Sequence, residues 1–151
     1  ERFIDGREFN IAVLEVEGRP RILPMAEMVF AQYGPERRRI VDYAAKWHPE
    51  SFNFSHTVRR FDFDSGDAPL LGRLRRLTEE VWSLFGARGY ARVDFRVDGE
   101  GVPWILEINV NPCLAADAGY MAAANRSGLE LSDVVRYLVD AALATPSGVA
   151  S

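Results

Sequence analysis

The residues whose types and spacing carry the most chemistry lie between Ala91 and Pro112, in the run A-R-V-D-F-R-V-D-G-E-G-V-P-W-I-L-E-I-N-V-N-P. Asp94, Glu107 and Asn109 are hard oxygen donors of the kind magnesium takes as one or two carboxylates completed by waters and phosphates. Two carboxylates facing each other across a sheet destabilise it by a few tenths to ~1 kcal/mol, and one of them tends to take up a proton. A dication between them removes both penalties. The competing reading is a hairpin whose charged face is merely wet, with Asn109 starting the turn toward Pro112.

Either reading requires elements that put these residues together. Residues 91–97 and 103–110 both alternate with period two, the pattern of half-buried strands. Val93, Phe95 and Val97 fall on one face, as do Trp104, Leu106, Ile108 and Val110 of the second strand; the opposite face carries Arg92 and Asp94, then Glu107 and Asn109. The turn signal Asp98-Gly99-Glu100-Gly101 joins them as an antiparallel hairpin. Centred between Glu100 and Gly101, that hairpin sets Asp94 opposite Glu107 and Arg92 opposite Asn109.

Elsewhere, Glu8–Val16 and Arg21–Phe30 read as paired strands around the turn Glu17-Gly18-Arg19-Pro20. Residues 31–66 have weak periodicity and read as a long loop with short strand or helical pieces, the kind of stretch that is usually functional or mobile. Leu70, Leu71, Leu74, Leu77, Val81, Trp82 and Phe85 form an apolar stripe that predicts a helix over 68–85, stopped by Gly86 to Gly89. Asp117–Asn125 predicts a short helix ended near Gly128. Glu130–Ala144 predicts an amphipathic one with Leu131, Val134, Val135, Leu138 and Ala142 inward. Thr145–Ser151 reads as a disordered small-residue tail.

With 151 residues, 48% of them hydrophobic, the chain supports one core, and residues 1–144 read as one α+β domain. A net charge of −4 argues against a nucleic-acid surface, and Arg37-Arg38-Arg39 is too short a basic run to count as one. No run of about 18 apolar residues suggests a membrane span, and no signal-peptide pattern is present. The single cysteine, Cys113, forms no internal disulfide, which fits a cytoplasmic protein. The absence of an initiator Met suggests a piece of something longer. Only Lys46 among the 18 basic residues is lysine, which singles it out.

Four segments, taken in order, resemble the C-terminal part of ATP-grasp carboxylate-amine ligases, most closely the D-alanine-D-alanine ligase group. Glu1-Arg2-Phe3-Ile4-Asp5-Gly6-Arg7-Glu8-Phe9 is similar to the family's hinge, and Val41-Asp42-Tyr43-Ala44-Ala45-Lys46-Trp47 to its lysine loop. Ala91-Arg92-Val93-Asp94 resembles its R-[IV]-D strand, and Glu107-Ile108-Asn109-Val110-Asn111-Pro112 its E-x-N-x-x-P motif. The resemblance implies an ATP-grasp C-terminal lobe, an antiparallel sheet flanked by helices, that binds ATP with magnesium, or manganese in its place. It implies that Glu1, Phe3 and Ile4 meet the adenine, that Glu8 takes the ribose hydroxyls, and that Lys46 lies over the triphosphate. Asp94, Glu107 and Asn109 would be the metal ligands. Arg92 would stabilise negative charge on an acyl phosphate; its plainer reading is a counter-charge for Asp94 or Glu107, and both can hold.

By the same resemblance a carboxylate and an amine are the small-molecule substrates, and the lobes preceding the hinge are absent, so these residues alone would not catalyse ligation. A non-catalytic nucleotide-binding module is the alternative, and a structural metal domain without nucleotide a third. Two positions depart from the closest relatives: Ala118 stands where a serine holds a substrate carboxylate, and Trp47 follows the loop lysine in place of tyrosine. Cys113 stands at a position often occupied by glycine, and with neither His48 nor His56 at an identifiable partner spacing it reads as structural rather than nucleophilic. Asn111 reads as a turn residue or a hydrogen-bond support.

Overall fold

A computed structural model describes residues 3–30 and 57–144. Six strands form one sheet: β1 (Arg7–Val16), β2 (Arg19–Ile22), β3 (Ala26–Phe30), β4 (Thr57–Arg60), β5 (Tyr90–Val97) and β6 (Pro103–Asn109). The order is β4-β3-β1-β5-β6, with β2 also on β1, and every pairing is antiparallel. Among the described residues three α-helices accompany it: α1 (Ala68–Leu84), α2 (Gly119–Arg126) and α3 (Leu131–Leu143).

The expected strand over 21–30 is two strands on the same side of β1. β2 pairs with Val13–Val16 and β3 with Glu8–Asn10. Pro24, lacking an N–H, breaks the ladder between them, while Leu23 N–H still reaches the Ala12 carbonyl at 2.9 Å. The turn is also tighter than expected. Glu17 (φ 52°) and Gly18 (φ 75°) alone make it, both left-handed, as a two-residue hairpin turn demands.

β1 lies central and divides the core by parity. Phe9, Ile11 and Val13 face α1 through Leu74, Val81 and Trp82; Ala12 and Leu14 face α2 and α3 through Tyr120, Met121, Ala124 and Val134. Each fully buried large side chain of this set contributes about 1.5–3 kcal/mol. Thr78, fully buried in α1, satisfies its hydroxyl on the Leu74 carbonyl at 2.8 Å, and Tyr120 satisfies its own on Val13 at 3.0 Å.

Two predicted apolar faces lie differently. Phe85 caps α1 and is 64% exposed rather than part of the stripe. On α3 only Val134 is buried, with Tyr137 and Leu138 partly so, while Leu131 and Val135 are about half exposed and Ala142 is exposed. A helix resting on a sheet through one flank buries a narrower stripe than its apolar pattern allows. The tail 145–151 and most of the expected long loop, residues 31–56, lie outside the described residues; β4 and a short 3-10 turn (Ser65–Asp67) are its described part.

Candidate active site

Directly opposite residues of a ladder share a face, so the registers define the site. Glu8 lies opposite Arg96, Asn10 opposite Asp94, and Ala12 opposite Arg92; across the next ladder Asp94 meets Glu107 and Arg92 meets Asn109. These residues therefore line one face, the one that α2 and α3 cover over Ala12 and Leu14. The polar half of that face is built by β1, β5 and β6 together.

The hairpin register at the two carboxylates is the expected one. Beyond it the ladder shifts, Phe95 pairing with Ile105, so Leu106 has no partner on β5. This bulge and the edge position of β6 correct the expected apolar face: Trp104 (47%), Ile105 (48%), Leu106 (41%) and Val110 (62%) are exposed, and Ile108 alone packs toward the core. Asp98 organises the turn by accepting from the N–H groups of Glu100 and Val102 and from Trp104 Nε1, bonds that hold its carboxyl below the usual range.

Asp94 is 7% exposed and receives both arms of Arg92, each at 2.7 Å; Glu107 Oε1 lies 3.8 Å from the same guanidinium, its side chain 58% exposed. Burial acts to lower the Arg92 pKa, but the Asp94 bonds and the charges of Asp94, Glu107 and Glu8 outweigh it and raise it. Arg92 is thus the counter-charge of Asp94. The Asn109 side-chain oxygen accepts the Asn111 N–H at 3.0 Å, and Asn111 in turn accepts from the Tyr90 hydroxyl at 2.6 Å, which makes Asn111 both turn and support.

Each of these oxygens has a second lone pair. Two carboxylates and an amide oxygen therefore fit a magnesium ion completed by water and phosphate. Among the described residues no group of three or more His, Cys, Asp or Glu side chains could hold a metal by itself. Any cation here needs the amide or a ligand's oxygens.

The segment that resembles the family's hinge enters the face at Glu8, which is 7% exposed. Gly6 (φ 139°) passes so close to the end of β5 that a Cβ would fall 2.0 Å from the Val97 carbonyl oxygen, so the motif glycine is sterically required. Phe3 (42% exposed) and Ile4 (half-buried) lie just before it. Glu1 and Lys46, with the rest of the lysine loop, both histidines and Arg37–Arg39, lie outside the described residues. Cys113 is exposed, with Sγ accepting the Ala115 N–H at 3.5 Å.

Two arginines at this face were not singled out in the sequence. Arg59 of β4 lies opposite Met28, itself opposite Glu8, and donates to the Asp117 carbonyl at 3.3 Å. A Cβ on Gly119 would sit 3.3 Å from its Nε, so the guanidinium lies against the chain beside Ala118. Desolvation, joined by the positive charge of Arg92, outweighs the pull of Asp117 and lowers the Arg59 pKa. Arg96 of β5 lies opposite Glu8 and donates to the Ile4 carbonyl. Their bonds join residues 58 and 92 positions apart, beyond the reach of any local pattern.

An antiparallel sheet with a hinge at one end of a polar face and paired carboxylates along it is the C-terminal lobe of the ATP-grasp architecture. Residues 1–140 match the family described as the D-ala D-ala ligase C-terminus, and the chain belongs to that family. It is 32% identical over 143 residues to the D-alanine–D-alanine ligase of Moorella thermoacetica, covering 95% of this chain and 42% of that one. It is 33% identical over 144 residues to that of Pelotomaculum thermopropionicum, covering 95% and 41%.

The fold is that of the Bacillus anthracis D-alanine–D-alanine ligase solved with ATP (TM-score 0.67, 18% identity, 95% of this chain and 40% of that one). It is also that of an Enterococcus faecalis D-Ala:D-Ser ligase (TM-score 0.63, 17% identity, 91% and 36%). The chain thus spans about two fifths of the length of the curated relatives it matches. No helix of the described residues is long and apolar enough to cross a membrane.

Proposed function

We propose that this chain is the ATP- and magnesium-binding part of a cytoplasmic ligase that activates a carboxylate as an acyl phosphate and joins it to an amine. The observation that carries this reading is the placement of Asp94 opposite Glu107, two pairs along the register from Asn109, on the polar half of a sheet face that also receives Glu8. Glu1, Phe3, Ile4 and Glu8 would meet the nucleoside; a carboxylate suits a ribose because it accepts from two hydroxyls at once.

In the reaction, an oxygen of the substrate carboxylate bonds to the γ-phosphorus of ATP as the bond to the ADP oxygen breaks. The amine then bonds to the acyl carbon, phosphate departs, and the amine nitrogen gives up a proton. Asp94, Glu107 and Asn109 would hold the magnesium, which when bound neutralises phosphate charge. Arg92, fixed by Asp94, presents its remaining donors to the transferring group or the acyl oxygen, and Lys46 adds a mobile point charge. Arg59, lying where Ala118 offers no hydroxyl, is a cation suited to a substrate carboxylate.

ADP and phosphate release by the full-length protein, screened over pairs of amino acids and including D-alanine alone, tests the reading. Release that depends on one carboxylate–amine pair supports it. Tight ATP binding with no turnover under any pair would establish the non-catalytic module instead. These 151 residues alone are expected to turn over ATP only at background, since positioning by a second lobe contributes about 7–11 kcal/mol to such reactions.

A further inference from the structure

Arg96 is 3% exposed, yet neither the metal site nor the phosphate chemistry uses it. It stands directly opposite Glu8 in the β1–β5 ladder. Its Nε donates to the Ile4 carbonyl at 2.9 Å and its Nη1 to Glu8 Oε2 at 3.1 Å. The guanidinium also lies over the rings of Phe3, 5.3 Å from the centroid, and Phe30, at 6.0 Å. One side chain of β5 thus grips three residues of the hinge and the last residue of β3.

A buried ion pair is poor value for stability, because the desolvation of both ions offsets much of their attraction, and an apolar side chain of similar size is often as stable there. What an arginine adds is geometry: its planar fork holds two acceptors at a set separation and angle. The acceptors here are the peptide of Ile4 and the carboxylate of Glu8, the two groups read as meeting the purine and the ribose.

We infer that Arg96 is a positioning residue for the nucleoside end of the site, fixing the Ile4 peptide and the Glu8 carboxylate before nucleotide binds. The inference rests on the reading of Glu8 as the ribose contact. Preorganisation of this kind acts on ATP affinity and leaves the transfer step alone.

The test uses the full-length protein, with Arg96→Met, Arg96→Lys and Glu8→Gln assayed by steady-state kinetics with ATP and with 2′-deoxy-ATP. Arg96→Met is expected to raise the KM for ATP by roughly tenfold to a hundredfold, the cost of charged hydrogen bonds. The kcat at saturating ATP and the KM of the amine stay near wild type. The preference for ATP over 2′-deoxy-ATP falls as it does in Glu8→Gln, because a carboxylate no longer held in place cannot discriminate a hydroxyl. Arg96→Lys keeps the charge and the fold but lacks the fork, and is expected to lose part of that preference. If Glu8→Gln loses the preference while both Arg96 variants keep it, Arg96 only packs the hinge and the inference fails with the ribose reading intact. If Glu8→Gln itself keeps the preference, the ribose reading fails and takes the inference with it.

Discussion

Two clusters of arginine and carboxylate lie on opposite faces of one sheet, and they differ in how completely their charges are matched. On the α1 face Arg7 binds Glu27 through two bonds (2.8 and 2.9 Å) and Asp67 through two more (2.6 and 3.2 Å), while Arg60 adds another to Glu27 at 2.5 Å. Burial raises the Glu27 pKa, but the Arg7 and Arg60 bonds overcome it and leave the carboxyl below its ordinary value; the Arg7 bond does the same for Asp67. The bonds to Glu27, then to Asp67, push Arg7 up. Every charge of that cluster has a partner.

Around Arg92 and Arg59 the site face is looser. Arg92 closes on Asp94 but stands 3.8 Å from Glu107, and Arg59 makes one bond among the described residues, to a backbone oxygen. Identical residue types thus sit in two settings: the matched cluster ties the start of α1 to β1, β3 and β4, and the looser one, under the proposed function, would leave donors and lone pairs for a ligand.

The two faces should differ most at Glu107. Glu107→Gln in the full-length protein is expected to lower magnesium-dependent ADP release by more than about a hundredfold, beyond what loss of an outer-shell partner costs, while leaving the fold and melting temperature near wild type. Near-normal ADP release from the folded variant would remove the metal assignment. Next in size, Arg59→Met is expected to raise the KM of the carboxylate-bearing substrate by roughly tenfold to a hundredfold with the KM for ATP unchanged. An unchanged amino-acid KM would mean that Arg59 only braces the loop at Asp117.

The matched cluster should respond in stability instead. Arg7→Met leaves Glu27 with one arginine and Asp67 with none among the described residues, at about 1.5–3 kcal/mol. That lowers the melting temperature by roughly 3–10 °C, with kcat unchanged below the transition. Equal losses of activity and stability would show that the two faces do not work separately.

The smallest expected effect is one of pH. Glu27 has a depressed pKa in the folded state. Its contribution is therefore full above the unfolded value of about 4.3 and disappears as pH falls through the lower folded value. The stability gap between wild type and Glu27→Gln, measured by thermal melts, should be full at neutral pH and shrink below about pH 4. A gap that holds constant down to pH 3 would mean that the ion pairs contribute little.

Local period and turn chemistry were legible from the residues alone. The alternation of 91–97 and 103–110 about a four-residue turn is enough to set Asp94 against Glu107, and the stripe from Leu70 to Trp82 is enough to give α1; both stand in the structure. Motif order sufficed for the family. Tertiary structure decided the rest, because burial and charge partners depend on which elements meet. Nothing local places β6 at the sheet edge, breaks its alternation at Leu106 or selects the flank of α3 that rests on β1. Nor does it bring Arg59 to Asp117, 58 positions away, or Arg96 to Glu8, 88 positions away. A sheet assembles such pairs from strands distant in the chain, and only the finished register reveals which arginines meet carboxylates and which meet a backbone oxygen.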